Sequence, residues 1–190
     1  MIKTLTSAAA ALLLAGAAHA STVVSVDAQT DAIGTAGATT MLTAGESFTI
    51  TASTLDTWSA GTDLRVSDAD GLTKPIFAQA GDDSGKAAGT QIGQDFGAYT
   101  DPTSGATFAF GELVGSIDSG AYFAVGTNYS GFTSSAGTLS LIYWDSNYGD
   151  NFGSVNATVT AVPEPTSVAL LLAGLGIVGG LSRRRARNAN

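Results

Sequence analysis

Short runs of alternating polar and apolar residues recur along this chain, and that periodicity limits its fold more than any other feature. Glu46-Ser47-Phe48-Thr49-Ile50-Thr51-Ala52 alternates over seven positions. Thr107-Phe108-Ala109-Phe110, Leu113 to Ile117, Ala121 to Val125, Leu139 to Trp144 and Ser154 to Val159 follow. A period of two sends successive side chains to opposite faces of a strand, and each run is bounded by Gly, Asp, Asn or Ser, the residues of turns. No apolar stripe at helical spacing has convincing length between residues 21 and 161. The pattern predicts an all-β domain, an antiparallel β-sandwich with one buried face per sheet. A segment of about 140 residues buries enough surface for such a core without disulfides.

The two ends are of another kind. Met1-Ile2-Lys3 is followed by an apolar run from Leu5 to Ala18, and Ala18-His19-Ala20 places small residues on both sides of a cut. A basic start, a short apolar centre and a small-x-small cleavage pattern are the parts of a secretory signal peptide. At the other end, Val162-Pro163-Glu164-Pro165 precedes an apolar segment, and Arg183, Arg184, Arg185 and Arg187 close it. Residues 166–182 would form a short transmembrane helix of ~25 Å, with the arginines held on the cytoplasmic side. The expected organisation is a signal peptide over 1–20, a β-sandwich over 21–161 and a tail over 162–190.

Charge and composition exclude much. Of the 190 residues none is Cys, and His19 is the one histidine. Without thiolates there are no disulfides, Fe–S clusters or cysteine nucleophiles. With His19 in the leader, the mature chain has no imidazole for a Ser-His-Asp triad or a zinc protease. Residues 21–162 carry three bases (Arg65, Lys74, Lys86) against fifteen acids, a net charge of −12. Such a surface repels phosphate backbones, so no nucleic-acid partner is expected.

The densest polar cluster is Asp145-Ser146-Asn147-Tyr148-Gly149-Asp150-Asn151, between two strong strands. Carboxylate and amide oxygens meeting in one turn suit Ca²⁺, which takes six to eight oxygen ligands in loose geometry. The same residues also build ordinary hairpin loops. Asp68-Ala69-Asp70-Gly71 lacks the acidic positions of an EF-hand loop, since Val66 and Phe77 stand there. Asp83-Ser84-Gly85 and Asp118-Ser119-Gly120 have the Asp-Ser-Gly order of aspartic proteases, but the second fits a tight hairpin turn better. No spacing nominates a carboxylate pair for glycoside hydrolysis. Trp58, Trp144, Tyr143 and Tyr148 are candidate sugar-stacking rings or core aromatics. Residues 69–105 contain a long Gly/Asp-rich passage with few core candidates.

The tail resembles the PEP-CTERM sorting signal of Gram-negative bacteria: Pro163-Glu164-Pro165, a short hydrophobic helix and a terminal arginine cluster stand in that order. The resemblance implies export across the inner membrane, cleavage by signal peptidase after Ala20, and processing by an exosortase. It also implies a place at the cell surface or in an extracellular polysaccharide or biofilm matrix, with the C-terminal helix holding the chain in the membrane before processing.

The central segment resembles the calcium-dependent galactophilic lectin family of bacteria, the PA-IL type. The likeness lies in Gly45 to Ala52, Phe110 to Gly126, and above all Gly137 to Asp145 with Tyr148 to Asn156. It implies Ca²⁺ as cofactor, held by the side chains of Asp145, Asp150 and Asn151 and by backbone oxygens of Asn147 and Trp58. The loop from Asp145 to Asp150 is shorter than that family's, and its sugar-contacting His and Gln have no aligned counterpart. Two non-enzymatic expectations stand together: a Ca²⁺-assisted binder of polysaccharide or glycoconjugate, and a structural matrix or adhesion protein. A carboxylate-dependent hydrolase ranks far below both.

Overall fold

The computed structural model describes residues 21–162 together with Gly174, Gly176 and Ile177. The leader residues Ala18 and Ala20, the motif Pro163-Glu164-Pro165 and Arg183, Arg184, Arg185 and Arg187 lie outside the described residues. So does the 166–182 segment, apart from those three helical positions. Among the described residues no helix is long and apolar enough to cross a membrane.

Fourteen strands follow one another from the first described residue. They are β1 (Ser21–Asp27), β2 (Ala38–Leu42), β3 (Glu46–Ala52), β4 (Trp58–Ser59), β5 (Val66–Ser67), β6 (Ile76–Phe77) and β7 (Gln91–Gly93). Then come β8 (Ala98–Thr100), β9 (Thr107–Ala109), β10 (Leu113–Ile117), β11 (Phe123–Ala124), β12 (Asn128–Thr133), β13 (Gly137–Tyr143) and β14 (Phe152–Val162). One sheet has the order β12-β3-β14-β4-β5, with β1 also paired to β14. The other has the order β11-β10-β13-β2, and two small ribbons, β6-β7 and β8-β9, complete the architecture. All pairings between named strands are antiparallel.

The alternation decides which side chains meet between the sheets. Phe48 and Ile50 of β3 point inward with Val24 and Val26 of β1 and Val155, Ala157 and Val159 of β14. Facing them are Leu139, Leu141 and Tyr143 of β13 and Leu113 of β10. Ser47, Thr49 and Thr51 take the outer face and pair with Val162, Thr160 and Thr158. Trp58, at 1 % exposure, is the largest of these core residues, and its ring meets that of Tyr143 edge-on at 4.6 Å.

The second sheet departs from the expectation of one buried face. Val114 and Ile142 are buried on its other side, with Trp144 beside them at 0 % exposure. Phe108 and Tyr122 pack edge-on against the Trp144 ring, and its indole N–H donates to Tyr99 O at 2.9 Å. The β8-β9 ribbon is therefore a cover over that sheet. Residues 69–105 also supply more core than expected, since Ala69, Leu72, Ala78 and Ile92 are all buried. Asp118 and Ser119 both have positive φ, and Gly120 N donates to Ile117 O, the geometry of a tight hairpin turn between β10 and β11. The last strand ends at Val162, one residue past the expected domain boundary.

Candidate functional site

Strand β13 carries Tyr143 inward, and two residues later Asp145 points to the same side, at the end of the sandwich where β14 begins. Asp145 is 4 % exposed, and its Oδ1 accepts from Asn147 N at 3.0 Å, which turns the chain out of the strand. A single 3-10 turn, Tyr148–Asp150, brings the chain back. Its exposed carboxylate, Asp150, accepts from Asn147 Nδ2 at 3.0 Å. Gln29 Nε2 holds the turn from outside through Gly149 O at 3.0 Å.

Asn151 closes the loop and is 4 % exposed. Its Nδ2 donates to Ala28 O at 3.1 Å, while its buried Oδ1 has no hydrogen-bond partner. A buried amide oxygen without a donor costs free energy comparable to a lost hydrogen bond, so such atoms in native proteins usually mark a water, an ion or a ligand. Burial raises the pKa of Asp145, and the charge of Asp150 adds to the rise, while bonds from Asn147, Asn151 and Ser146 oppose it. Asp145 is therefore a carboxylate whose charged form is disfavoured mainly by burial.

The fourth wall comes from the β4-β5 connection. Gly61 has φ +118, and a Cβ on it would lie 2.7 Å from Asp150 Oδ2. At this φ, which side chains rarely adopt, glycine brings the backbone against the Asp150 carboxylate. Asp63 and Leu64, next in the same connection, both adopt positive φ. Arg65 is held by a bond from Nη1 to Ala60 O at 3.3 Å and by the Phe96 ring, 4.4 Å from its Cζ. Trp58 is not at the loop's surface. Its indole N–H donates into the core, to Gly111 O at 2.9 Å and Asp68 O at 3.1 Å, and the residue of this segment that meets Asp150 is Gly61.

Two further orphans lie behind the loop. Tyr143 Oη and Ser67 Oγ are buried without partners, and both lie close to the open side of Gly111. Burial pushes the Tyr143 hydroxyl well above its ordinary pKa of 10.0, and the charges of Asp145 and Asp150 push it further.

Beside the loop, Gly61, Asp63, Leu64, Lys86, Gln91 and Phe152 line a cavity of about 450 Å³. Phe152 and Tyr148 expose their rings there and on the loop, 55 % and 41 %. Both rings are open to a ligand. Trp58, Trp144 and Tyr143 are core residues, which removes them as sugar platforms. Phe152 carries no signal of this role in the sequence beyond its place next to Asn151.

Among the described residues no group of three or more His, Cys, Asp or Glu side chains could hold a metal ion. The oxygen-bearing side chains of this loop are instead Asp145, Asp150 and Asn151, two carboxylates and one amide, donor types suited to a hard cation such as Ca²⁺. The orphaned Asn151 Oδ1 fits such an ion, because it is a buried acceptor lacking a positive partner.

No curated protein matches the chain. Among solved structures, one described as "EclA N-terminal domain; PllA-like lectin" aligns with 74 % of this chain and 95 % of its own, at 21 % identity and a TM-score of 0.44. Residues 161–186 match the PEP-CTERM protein-sorting motif. That motif begins where β14 ends, so the last strand of the sandwich runs straight into the sorting signal.

Proposed function

We propose that this chain is an exported, exosortase-sorted surface or matrix protein whose β-sandwich binds carbohydrate through a Ca²⁺ ion. The sorting half is supported by the motif at residues 161–186. The binding half is carried by one observation, the partnerless buried oxygen of Asn151 beside Asp145 and Asp150. In this reading the side chains of Asp145, Asp150 and Asn151 hold the ion, with backbone oxygens from Asn147 and Trp58. When bound, the ion supplies open coordination positions for vicinal sugar hydroxyls. The chain's own residues do the rest. Gln29 and Ala28 fix the loop from behind. Phe152 and Tyr148 offer ring faces to a pyranose, and Gln91 offers polar contacts from the cavity wall. No residue is assigned to catalysis, and the ligand is a polysaccharide or glycoconjugate of the cell's surroundings.

A structural matrix or adhesion protein, with Ca²⁺ only stiffening this turn, is the second reading. It is favoured by the bonds from Asn147 that already tie Asp145 and Asp150 into the loop. A glycan array probed with the protein in Ca²⁺ and again in chelator separates the two. Sugar binding that disappears in chelator supports the first reading. Ca²⁺ uptake by calorimetry with no glycan bound in either condition supports the second.

A further inference from the structure

The two ends of the sandwich differ in their number of acids. At one end, Ser21 pairs with Thr160 and β14 runs on to Val162, which pairs with Ser47, itself opposite Phe132. The same end holds the β2-β3 turn and the β12-β13 turn, joined by a bond from Gly45 N to Thr133 O at 2.8 Å. The Asp145–Asn151 loop lies beyond the other end of β14, whose 11 residues span roughly 35 Å at about 3.3 Å each.

Three of the most exposed apolar side chains sit toward the first end: Met41 at 70 %, Val23 at 63 % and Phe132 at 59 %. Phe132 lies on the outer face of one sheet, in a row with Ser47 and Val162. Met41 lies on the other sheet, and it lines one groove with Thr22, Thr43 and Ala161, so the two sheets converge there. Hydroxyl residues surround this apolar surface. The acids that strand pairing and turn contacts place here are Glu46 and Asp118, and both accept bonds from the backbone, of Thr43 and Thr138 respectively. Asp27, Asp31, Glu112, Asp145 and Asp150 all sit toward the far end, as their strands and contacts require.

A lipid surface is the occupant this arrangement fits. The chain leaves the sandwich at Val162, and Pro163, which cannot donate to a strand ladder, follows with no spacer before the sorting motif and its apolar segment. An anionic leaflet repels carboxylates within about a Debye length, so the end carrying Glu46 and Asp118 can approach more closely than the end carrying Asp27, Asp31, Glu112, Asp145 and Asp150. Tethering raises the effective concentration of this end at the membrane, so a small apolar contact suffices. We infer that the end of the sandwich bearing Met41 and Phe132 rests on the lipid surface while the sorting tail is attached, holding the Asp145–Asn151 loop outward. The inference rests on the sorting-tail reading above.

The chain has no cysteine, so single labels are clean. Nitroxides on Thr43→Cys, Ser134→Cys and Ser146→Cys in the full-length chain, reconstituted into phosphatidylethanolamine–phosphatidylglycerol vesicles, report contact directly. At Thr43 and Ser134 the accessibility ratio of lipid-dissolved oxygen to a water-soluble nickel chelate is expected to exceed that at Ser146 several-fold. Adding Met41→Asp with Phe132→Asp should bring it down to the Ser146 level while the chain still floats with the vesicles. Vesicle-bound chain with Thr43 and Ser134 as open to the nickel chelate as Ser146 overturns the docking alone. Spin–spin broadening between copies without lipid contact also overturns it, assigning the patch to a second copy. A chain that does not float with the vesicles overturns the sorting-tail reading along with it.

Discussion

Asn151 carries two roles on one amide. Its Nδ2 donates to Ala28 O, and its Oδ1, buried without a hydrogen-bond partner, is the oxygen proposed to meet a cation. Asn151→Leu keeps the volume and removes both. The expected result is a loss of about 1–2 kcal/mol in metal-free stability, through the abandoned Ala28 carbonyl, and complete loss of any Ca²⁺-induced stabilisation. Denaturant titrations with and without Ca²⁺ check both parts, and a Ca²⁺ response that survives the substitution contradicts the ligand role. Asp68 gives a prediction of opposite sign. Burial raises its pKa, and the charge of Asp70 contributes, outweighing the bond from Asp70 N and the attraction of Lys74. An acid whose native pKa is raised adds stability that is fully present below its unfolded value and lost as pH rises through the native one. At pH 7 the ionised Asp68 is therefore a cost. Asp68→Asn keeps an acceptor for Asp70 N, now at 3.0 Å, and should raise the thermal midpoint at pH 7. The difference should close below the ordinary Asp range near 3.8. A lower midpoint at pH 7 would show that the carboxylate is needed ionised.

At the scale of elements, the β4-β5 connection sets the site as much as the acidic loop does. Gly61→Ala puts a methyl group against Asp150 Oδ2 in a backbone conformation that side chains rarely adopt. Calorimetry should show Ca²⁺ affinity about tenfold weaker, roughly 1.4 kcal/mol, because the carboxylate must turn away. Unchanged affinity would remove Gly61 from the site. This contribution was not legible in the sequence, because it consists of a missing Cβ and a φ angle. The acidic loop was legible, since Asp, Asn and Gly between two strands are both turn residues and oxygen donors. Trp58 is placed at the site by resemblance through its backbone oxygen; its side chain belongs to the core, and Gly61, three residues on, lies against Asp150. Strand β3 was readable to the residue because Phe48 and Ile50 alternate cleanly with hydroxyl residues. Edge strand β12, Asn128–Thr133, was not, because it pairs on one side only and its Ser and Gly read as turn. In residues 69–105 the buried Leu72, Ala78 and Ile92 stand singly among Gly and Asp, so no period announces them.

Across the whole molecule, fifteen acids against three bases over residues 21–162 load one domain with repulsion. Monovalent salt shortens the reach of that repulsion, from ~30 Å at 0.01 M to a few ångströms near 1 M. The midpoint of residues 21–162 in chelator should accordingly rise by a few degrees as NaCl increases from 10 to 500 mM, and a falling midpoint would contradict the charge argument. The same charge would favour a divalent cation at the end of the sandwich opposite Ser21 and Val162, where Asp145, Asp150 and Asn151 are the proposed ligands. Thermal unfolding of residues 21–162 in Ca²⁺ and in chelator, beside the Asp145→Ala variant, tests that assembly most directly. An ion bound only by the folded state at 100 times its dissociation constant adds ~2.7 kcal/mol, a shift on the order of 10 °C for a domain of this size. That rise is expected for the natural sequence, and none for Asp145→Ala. Equal midpoints in Ca²⁺ and chelator, or a rise that persists in Asp145→Ala, would contradict it.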